Sequence, residues 1–354
     1  MKNHGLDSNG QLYKINSFEF YRYEDIIKKE DDAGYDKTAF EKMLEIKGDS
    51  DHTKLIDMLT DLNDYSIGIE DVLKEHFDEE NIVYWMAFQI LMGNVDTQNR
   101  NVYLYSPLNS DIWYFIAWDN DGCLMRPEYE LRNFSDQNSW EKGISNYWGN
   151  ILFQRCLKSR SFREKLNDAI LDLREYLNKD MLTSKIESYK NVLKPYLYLM
   201  PDAEYEPLTS EQYDQIAASL PDEIEKNYQL YLESLETPMP FYIGVPTIDG
   251  DKLKFNWDVS YDLDAEDITY SVEVARDYLF RDVIYQNTTL IVPEAEMDLP
   301  EAGQYFVRVR ATNTSGKTQD AFDYYVTDEG KYYGMRCFYI TEDSTVEEDD
   351  YEEG

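Results

Sequence analysis

The stretch GNVDTQNRNVYLY, residues 93–105, followed by IWYFIAWDND, residues 112–121, decides how the first two thirds of the chain are read. Just before it, EENIVYWMAFQILM (79–92) is apolar nearly all round, with Ile82, Val83, Trp85, Met86, Phe88, Ile90 and Leu91 leaving no wide polar face. It is too short to span a membrane and reads as a buried central helix that stops at Gly93-Asn94. Val102–Tyr105 and Ile112–Trp118 read as two strands joined by the turn SPLNSD. Asp96 and Asn101, five positions apart, therefore fall on a loop between a buried helix and a hairpin. Asp119 closes the second strand and Asp121 follows it.

That arrangement has a chemical logic. Phosphoryl transfer needs a magnesium ion on the nucleotide phosphates and a carboxylate near the incoming hydroxyl. Magnesium takes hard oxygen donors, few of them from protein. A carboxylate and an amide oxygen on neighbouring loops suit it, and the D-x-x-x-x-N spacing equals that of a kinase catalytic loop. Against this stands the frequency of Asp and Asn in turns, where they bond their own backbone.

On Gly93, Asn94, Asp96, Asn101, Tyr103 and Tyr105, then Trp118, Asp119 and Asp121, the sequence resembles the CotH kinase family, atypical protein kinases named for a spore-coat member. QLYK at 11–14 and the helices to about residue 236 resemble the same family. The resemblance implies ATP and magnesium as cofactors and transfer of the γ-phosphate to Ser or Thr of a protein substrate. It implies Asp96 as the catalytic carboxylate, Asn101 and Asp119 as magnesium ligands, and Asp121 as a second-metal group or a support for the first; Arg100, within the loop, reads as a phosphate contact or a plain loop charge. Two departures stand out. Gln98 occupies the place where family members often carry His, which removes any proton transfer there. No Gly-rich phosphate loop precedes the catalytic loop, and nothing in the sequence shows that Lys14 replaces the phosphate-gripping lysine. The expectation is a kinase-like lobe over 1–236 whose N-lobe is largely missing, the chain beginning inside the domain. The alternative is an inactive remnant serving as an extracellular binding or scaffold module.

Around the central motif, TAFEKMLEIK (38–47), TKLIDMLTDL (53–62) and DVLKEHF (71–77) show helical spacing, and further helices are expected over 146–178 (broken near Ser159–Ser161), 182–198 and 209–235. Residues 37–236 thus read as mainly helical around one small hairpin, and QLYKINSFEFY (11–21) before them reads as one strand or hairpin. After Thr237-Pro238 the period becomes two: Leu253, Phe255 and Trp257; Tyr270, Val272 and Val274; Tyr305, Val307 and Val309 alternate with polar residues. LPEAGQYFVRVRATNTSG (299–316) resembles the fibronectin type III pattern, with Tyr305 as a tyrosine corner and Trp257 as the buried tryptophan. An all-β sandwich is expected over 237–341, with 318–331 inserted before a last strand at about 332–340, and a disordered acidic tail over 342–354.

Composition narrows the partners. The 354 residues carry 34 basic against 71 acidic side chains, a net charge of −37, which argues against nucleic acid and anionic lipid. Cys123, Cys156 and Cys337 form neither a disulfide framework nor a zinc motif, and His4, His52 and His76 share no ligand spacing with them. No run of apolar residues is long enough for a membrane span. A fibronectin-like module beside a CotH-like domain implies, by resemblance, a bacterial protein at the cell surface or outside the cell, with the sandwich available to a surface partner.

Overall fold

The first part of the chain forms the strands β1 (Gln11–Ile15), β2 (Leu44–Ile46), β3 (Val102–Ser106) and β4 (Tyr114–Ala117). Its helices are α1 (Lys37–Met43), α2 (Thr53–Asn63), α3 (Ile69–His76), α4 (Glu79–Leu91), α5 (Arg126–Leu131), α6 (Ile151–Lys158), α7 (Arg160–Tyr176), α8 (Lys179–Leu197) and α9 (Ser210–Glu236). The structure is a computed structural model that describes residues 5–131, 140–327 and 330–348. The chain divides into two compact units, Met1–Arg132 with Tyr147–Leu230, and Asn133–Asn146 with Tyr231–Gly354. The architecture is mixed α/β and multidomain, helical in its N-terminal region and built of β-sheet in its C-terminal region.

Local chemistry explains the helix boundaries. Asp78 starts α4 by accepting from the Asn81 backbone N–H at 2.9 Å, and the helix then buries Ile82, Val83, Trp85, Met86, Ala87, Gln89, Ile90 and Leu91. Helix α2 buries Leu55, Met58, Leu59 and Leu62 at i, i+3, i+4 and i+7. Ser159 separates α6 from α7 where the break was expected: its backbone is extended, and its hydroxyl caps α7 at the Phe162 N–H, 3.2 Å away. The buried Arg155 of α6 donates to the carbonyls of Leu62, Asp64 and Ile67, so a cation closes the negative end of α2.

The hairpin expected over 102–118 and the strand expected within 11–21 belong to one sheet, which the sequence reading did not foresee. Strands β3 and β4 are half of a four-stranded antiparallel sheet of order β2-β1-β3-β4. Tyr13, Leu104 and Phe115 stand opposite one another in register and are all buried, each worth about 1.5–3 kcal/mol against exposure. The expected helix over 38–47 stops at Met43, because Leu44 turns to extended backbone and pairs with Ile15 in the sheet. Cross-strand burial there outweighs the helical spacing of the sequence.

In the second unit, β5 (Thr247–Asp249), β6 (Lys252–Asn256) and β9 (Glu294–Asp298) make one sheet. The other has the order β15-β14-β10-β7-β8, from β7 (Ile268–Ala275), β8 (Val283–Leu290), β10 (Gly303–Asn313), β14 (Met335–Ile340) and β15 (Val346–Glu348), with β11 (Thr318–Asp320) on β10. All nine alternating residues from Leu253 to Val309 are buried in one core. The stretch taken as an insertion contains β11 and the start of a separate hairpin, β12 (Tyr324–Thr327) with β13 (Gly330–Tyr333). Within the tail expected to be disordered, residues 346–348 instead pair with β14. Val346 packs on the core and Glu348 meets Arg336 at 3.0 Å. Residues 349–354 of that tail lie outside the described residues.

Candidate functional site

Helix α4 ends at Met92, and Gly93 turns the chain with φ +60°. An added Cβ there would stand 2.7 Å from Asn227 Nδ2, so α9 packs against the turn and only glycine fits both the angle and the space. Asn94, buried, then caps a single 3-10 turn, Val95–Thr97, its Oδ1 accepting from the Asp96 N–H at 3.3 Å. Asp96 is thus fixed at the first turn after a buried helix. The loop beyond it is pinned from below. Asn150 donates to the Gln98 carbonyl at 2.9 Å, Phe18 N–H donates to the Asn99 carbonyl at 2.8 Å, and Asn99 donates to Glu19 at 2.8 Å.

Three of the five expected residues come together directly. Asn101 Nδ2 donates to Asp96 Oδ2 at 2.6 Å, and Arg100 Nε lies 2.6 Å from Asp96 Oδ1. A carboxylate only accepts, so the nitrogen of the Asn101 amide must face it and Oδ1 is left as a hard donor. Each Asp96 oxygen keeps a second lone pair. The Arg100 pair is half exposed and contributes little stability, but it places positive charge on the carboxylate that was expected to act as base.

Asp119 and Asp121 sit on the turn after β4. Asp119 has φ +54° and Asn101 has φ +58°, so both expected metal ligands hold the left-handed backbone, a strained state that non-glycine residues keep only where the surroundings enforce it. Asp119 and Asp121 are exposed, and among the described residues neither carboxylate is drawn into a hydrogen bond or ion pair. The turn is held against the Asp96 loop through Asn120, whose Oδ1 accepts from Gln89 at 3.1 Å and from Asn94 at 3.5 Å, and through Gly122, where a Cβ would lie 2.7 Å from Asn94 Oδ1 and 3.5 Å from Asp96 Cβ. Cys123, on the same turn, is pushed up to about 12 by burial, with an Asn94 hydrogen bond acting the other way.

Sequence reasoning missed Gln89, Asn120 and the support from α9. Gln89 had a visible signal, the one amide side chain in the apolar run from Ile82 to Leu91. Asn227, which donates to the Leu91 carbonyl at 2.9 Å and accepts from Arg126 at 2.7 Å, had none, since its partners lie more than a hundred residues away. Arg126 also pairs with the buried Glu223 at 3.3 Å. Lys14 lies on β1 between Glu45 and Tyr103 in register.

Among the described residues, no three or more His, Cys, Asp or Glu side chains converge as a metal cage. The donors present are instead one amide oxygen and unengaged carboxylates, which suits an ion that keeps water and phosphate in its shell. No helix among the described residues is long and apolar enough to cross a membrane. Curated proteins give no match to the chain. Among solved structures it is similar to "Structure of surface layer protein SbsC, domains 1-6" at 11% identity and a TM-score of 0.16, over 93% of this chain and 41% of that one; a likeness that small carries no argument. The family description "CotH kinase protein" matches residues 1–231, and with well over half its length matched the chain belongs to that family.

Proposed function

We propose that residues 1–236 act as an atypical kinase lobe that transfers the γ-phosphate of ATP, with magnesium, to a Ser or Thr hydroxyl of a protein. The observation that carries this reading is the Asn101 amide: its N–H is committed to Asp96, which leaves Oδ1 as a donor where β3 and β4 begin to part toward Asp119. Asp119 and Asn101 would hold the ion, with Asp121 as a further carboxylate. Magnesium, when bound, supplies charge neutralisation at the phosphates. Asp96 orients the acceptor hydroxyl and takes its proton at a carboxylate oxygen as the new oxygen–phosphorus bond forms and the bond to the departing ADP breaks. Arg100, held through Nε, keeps its other N–H donors for a phosphate oxygen.

Residues 237–341 fit a fibronectin type III-like sandwich, followed by the acidic stretch 342–354. The Tyr305 hydroxyl donating to the Glu301 carbonyl at 2.8 Å and the buried Trp257 support that reading. Its place would be at a bacterial surface or outside the cell, where the sandwich meets a partner. Radiolabelled transfer from ATP to a Ser/Thr-rich protein tests the activity. The expected result is transfer by the wild type that falls about a thousandfold in Asp96→Asn. Equal transfer by that variant overturns the role of Asp96. Wild-type binding of ATP and magnesium without any transfer would favour the inactive scaffold.

A further inference from the structure

The two loops of the candidate ion site are tied to the same short stretch of α9. Glu223 and Asn227 stand at i and i+4 and so share one helix face, and they are exposed to only 1% and 4%. Asn227 faces two ways. Its Nδ2 donates to the Leu91 carbonyl at 2.9 Å, at the end of α4 and five residues before Asp96. Its Oδ1 accepts from Arg126 Nη2 at 2.7 Å, seven residues after Asp119. Arg126 Nη1 lies 3.3 Å from Glu223 Oε2, and Lys226 Nζ meets the other carboxylate oxygen at 2.6 Å. A second tie runs beside the first. The Leu124 N–H donates to the Met92 carbonyl at 2.8 Å, with Leu124 held at φ +57°, a backbone state that a leucine keeps only under constraint. Consecutive carbonyls where α4 ends are thus taken by α9 and by the segment that follows the Asp119 turn.

We propose that Arg126 is a positioning residue of the ion site, a role that rests on the kinase reading above. Held by Glu223, its guanidinium fixes the Asn227 amide, and that one amide sets the separation of the Asp96 loop from the Asp119 turn. A guanidinium only donates, so it takes Asn227 Oδ1 and turns Nδ2 toward Leu91. Its two terminal nitrogens reach two different acceptors in one rigid plane, which a lysine cannot copy. Asn227 has no room to swing: a Cβ on Gly93 would lie 2.7 Å from its Nδ2 and 3.0 Å from its Oδ1, so a displaced amide pushes on the turn that starts the Asp96 loop. The Asp119 carboxylate has no tie of its own among the described residues. Its place is therefore set by the ties of its turn, Asn120 to Gln89 of α4 on one side and Arg126 to α9 on the other. Arg126 touches neither phosphate nor ion in this scheme; it acts through Asn227.

Calorimetric titration of ATP with magnesium, thermal melting and radiolabelled transfer, all on the full chain, test it. Arg126→Lys keeps a cation for Glu223 but cannot also hold Asn227. It should melt within about 5 °C of the wild type, bind ATP with magnesium at least about tenfold more weakly, and leave KM for the acceptor protein unchanged. Asn227→Asp keeps an acceptor for Arg126 and loses the donor to Leu91, and should show the same split. Arg126→Gln with Glu223→Gln leaves no unpaired buried charge, so it should fold and still bind at least about tenfold more weakly. A plain stabilising ion pair gives the opposite pattern, in which Arg126→Lys and the double variant bind ATP and magnesium as the wild type does; that result overturns the inference while the wild type's own binding and transfer stand. A wild type that binds ATP and magnesium without transfer removes the kinase activity, and the binding of the variants still decides the role of Arg126. A wild type that binds neither overturns both.

Discussion

Gly122→Ala tests the contact on which the site's geometry rests. The glycine lies on the Asp119 turn, and its backbone does not need the left-handed region, so alanine carries no φ penalty. The added methyl would meet Asn94 Oδ1 at 2.7 Å, about 0.7 Å inside the shortest ordinary contact of 3.4 Å. Asn94 has little freedom to yield, because it is buried, its Nδ2 donates to Gln89 at 3.0 Å and its Oδ1 caps Asp96. Either the amide leaves its cap, at about 1 kcal/mol, or the two loops part, and overpacking of this kind costs about 1–3 kcal/mol. For a unit of this size that lowers Tm by roughly 3–9 °C. The larger effect falls on chemistry: a shift approaching 1 Å between Asp96 and Asp119 should lower phosphate transfer by about a hundredfold. Calorimetric melting and radiolabelled transfer read the two effects separately. If Tm moves by less than about 1 °C and transfer is unchanged, the turn and the loop are not in contact and the reasoning fails.

Three further outcomes follow from the same geometry. Arg155→Met keeps the stem but strands the Leu62, Asp64 and Ile67 carbonyls; it should cost the first unit about 2–4 kcal/mol, or roughly 5–12 °C in Tm, and a smaller drop than about 2 °C would show that water replaces the guanidinium. His52 is buried against Phe40 with Nδ1 on the Tyr13 hydroxyl at 2.7 Å, and burial lowers its pKa below the ordinary 6.5, so the unfolded state takes up a proton that the folded state refuses; stability should fall as pH drops below about 6.5, and His52→Phe should flatten that part of the Tm-against-pH curve, whereas an equal slope in the variant would place the acid sensitivity elsewhere. Cys123, pushed up to about 12, should react with iodoacetamide at pH 8 at least about a hundredfold more slowly than in the unfolded chain, with labelling that speeds only as pH climbs toward that value; reaction at the unfolded rate would mean the thiol is not buried.

What the sequence made legible was local. A buried helix, a glycine–asparagine stop, an Asp and an Asn on the next loop and a hairpin behind them all lie within about forty residues, and it took the resemblance to the CotH family, beyond spacing, to single out Asp96, Asn101 and Asp119. Period-two alternation likewise marked the core of the second unit residue by residue. The misses were distant or competing. Strand β1 pairs with β3 across some ninety residues, and no local pattern announces such a pairing. Residues 44–46 have helical spacing, yet Leu44 gains more from Ile15 and the sheet. Gly93 is explained only once Asn227 of α9 is seen against it. The amide network of Gln89, Asn94 and Asn120, which ties the two carboxylate loops together, is assembled from three elements at once, so its members look like ordinary turn and helix residues until they are folded.

The most direct test of the proposed ion site is a calorimetric titration of ATP with magnesium into the wild type and into Asp119→Ala. Asp119 is exposed and makes no hydrogen bond or ion pair among the described residues, so the substitution should lower Tm only slightly, by the cost of holding alanine at φ +54°. The account predicts binding by the wild type that requires magnesium and weakens at least about tenfold in Asp119→Ala, a loss of about 1.4 kcal/mol. Binding of equal strength in both proteins, with magnesium present, would contradict it.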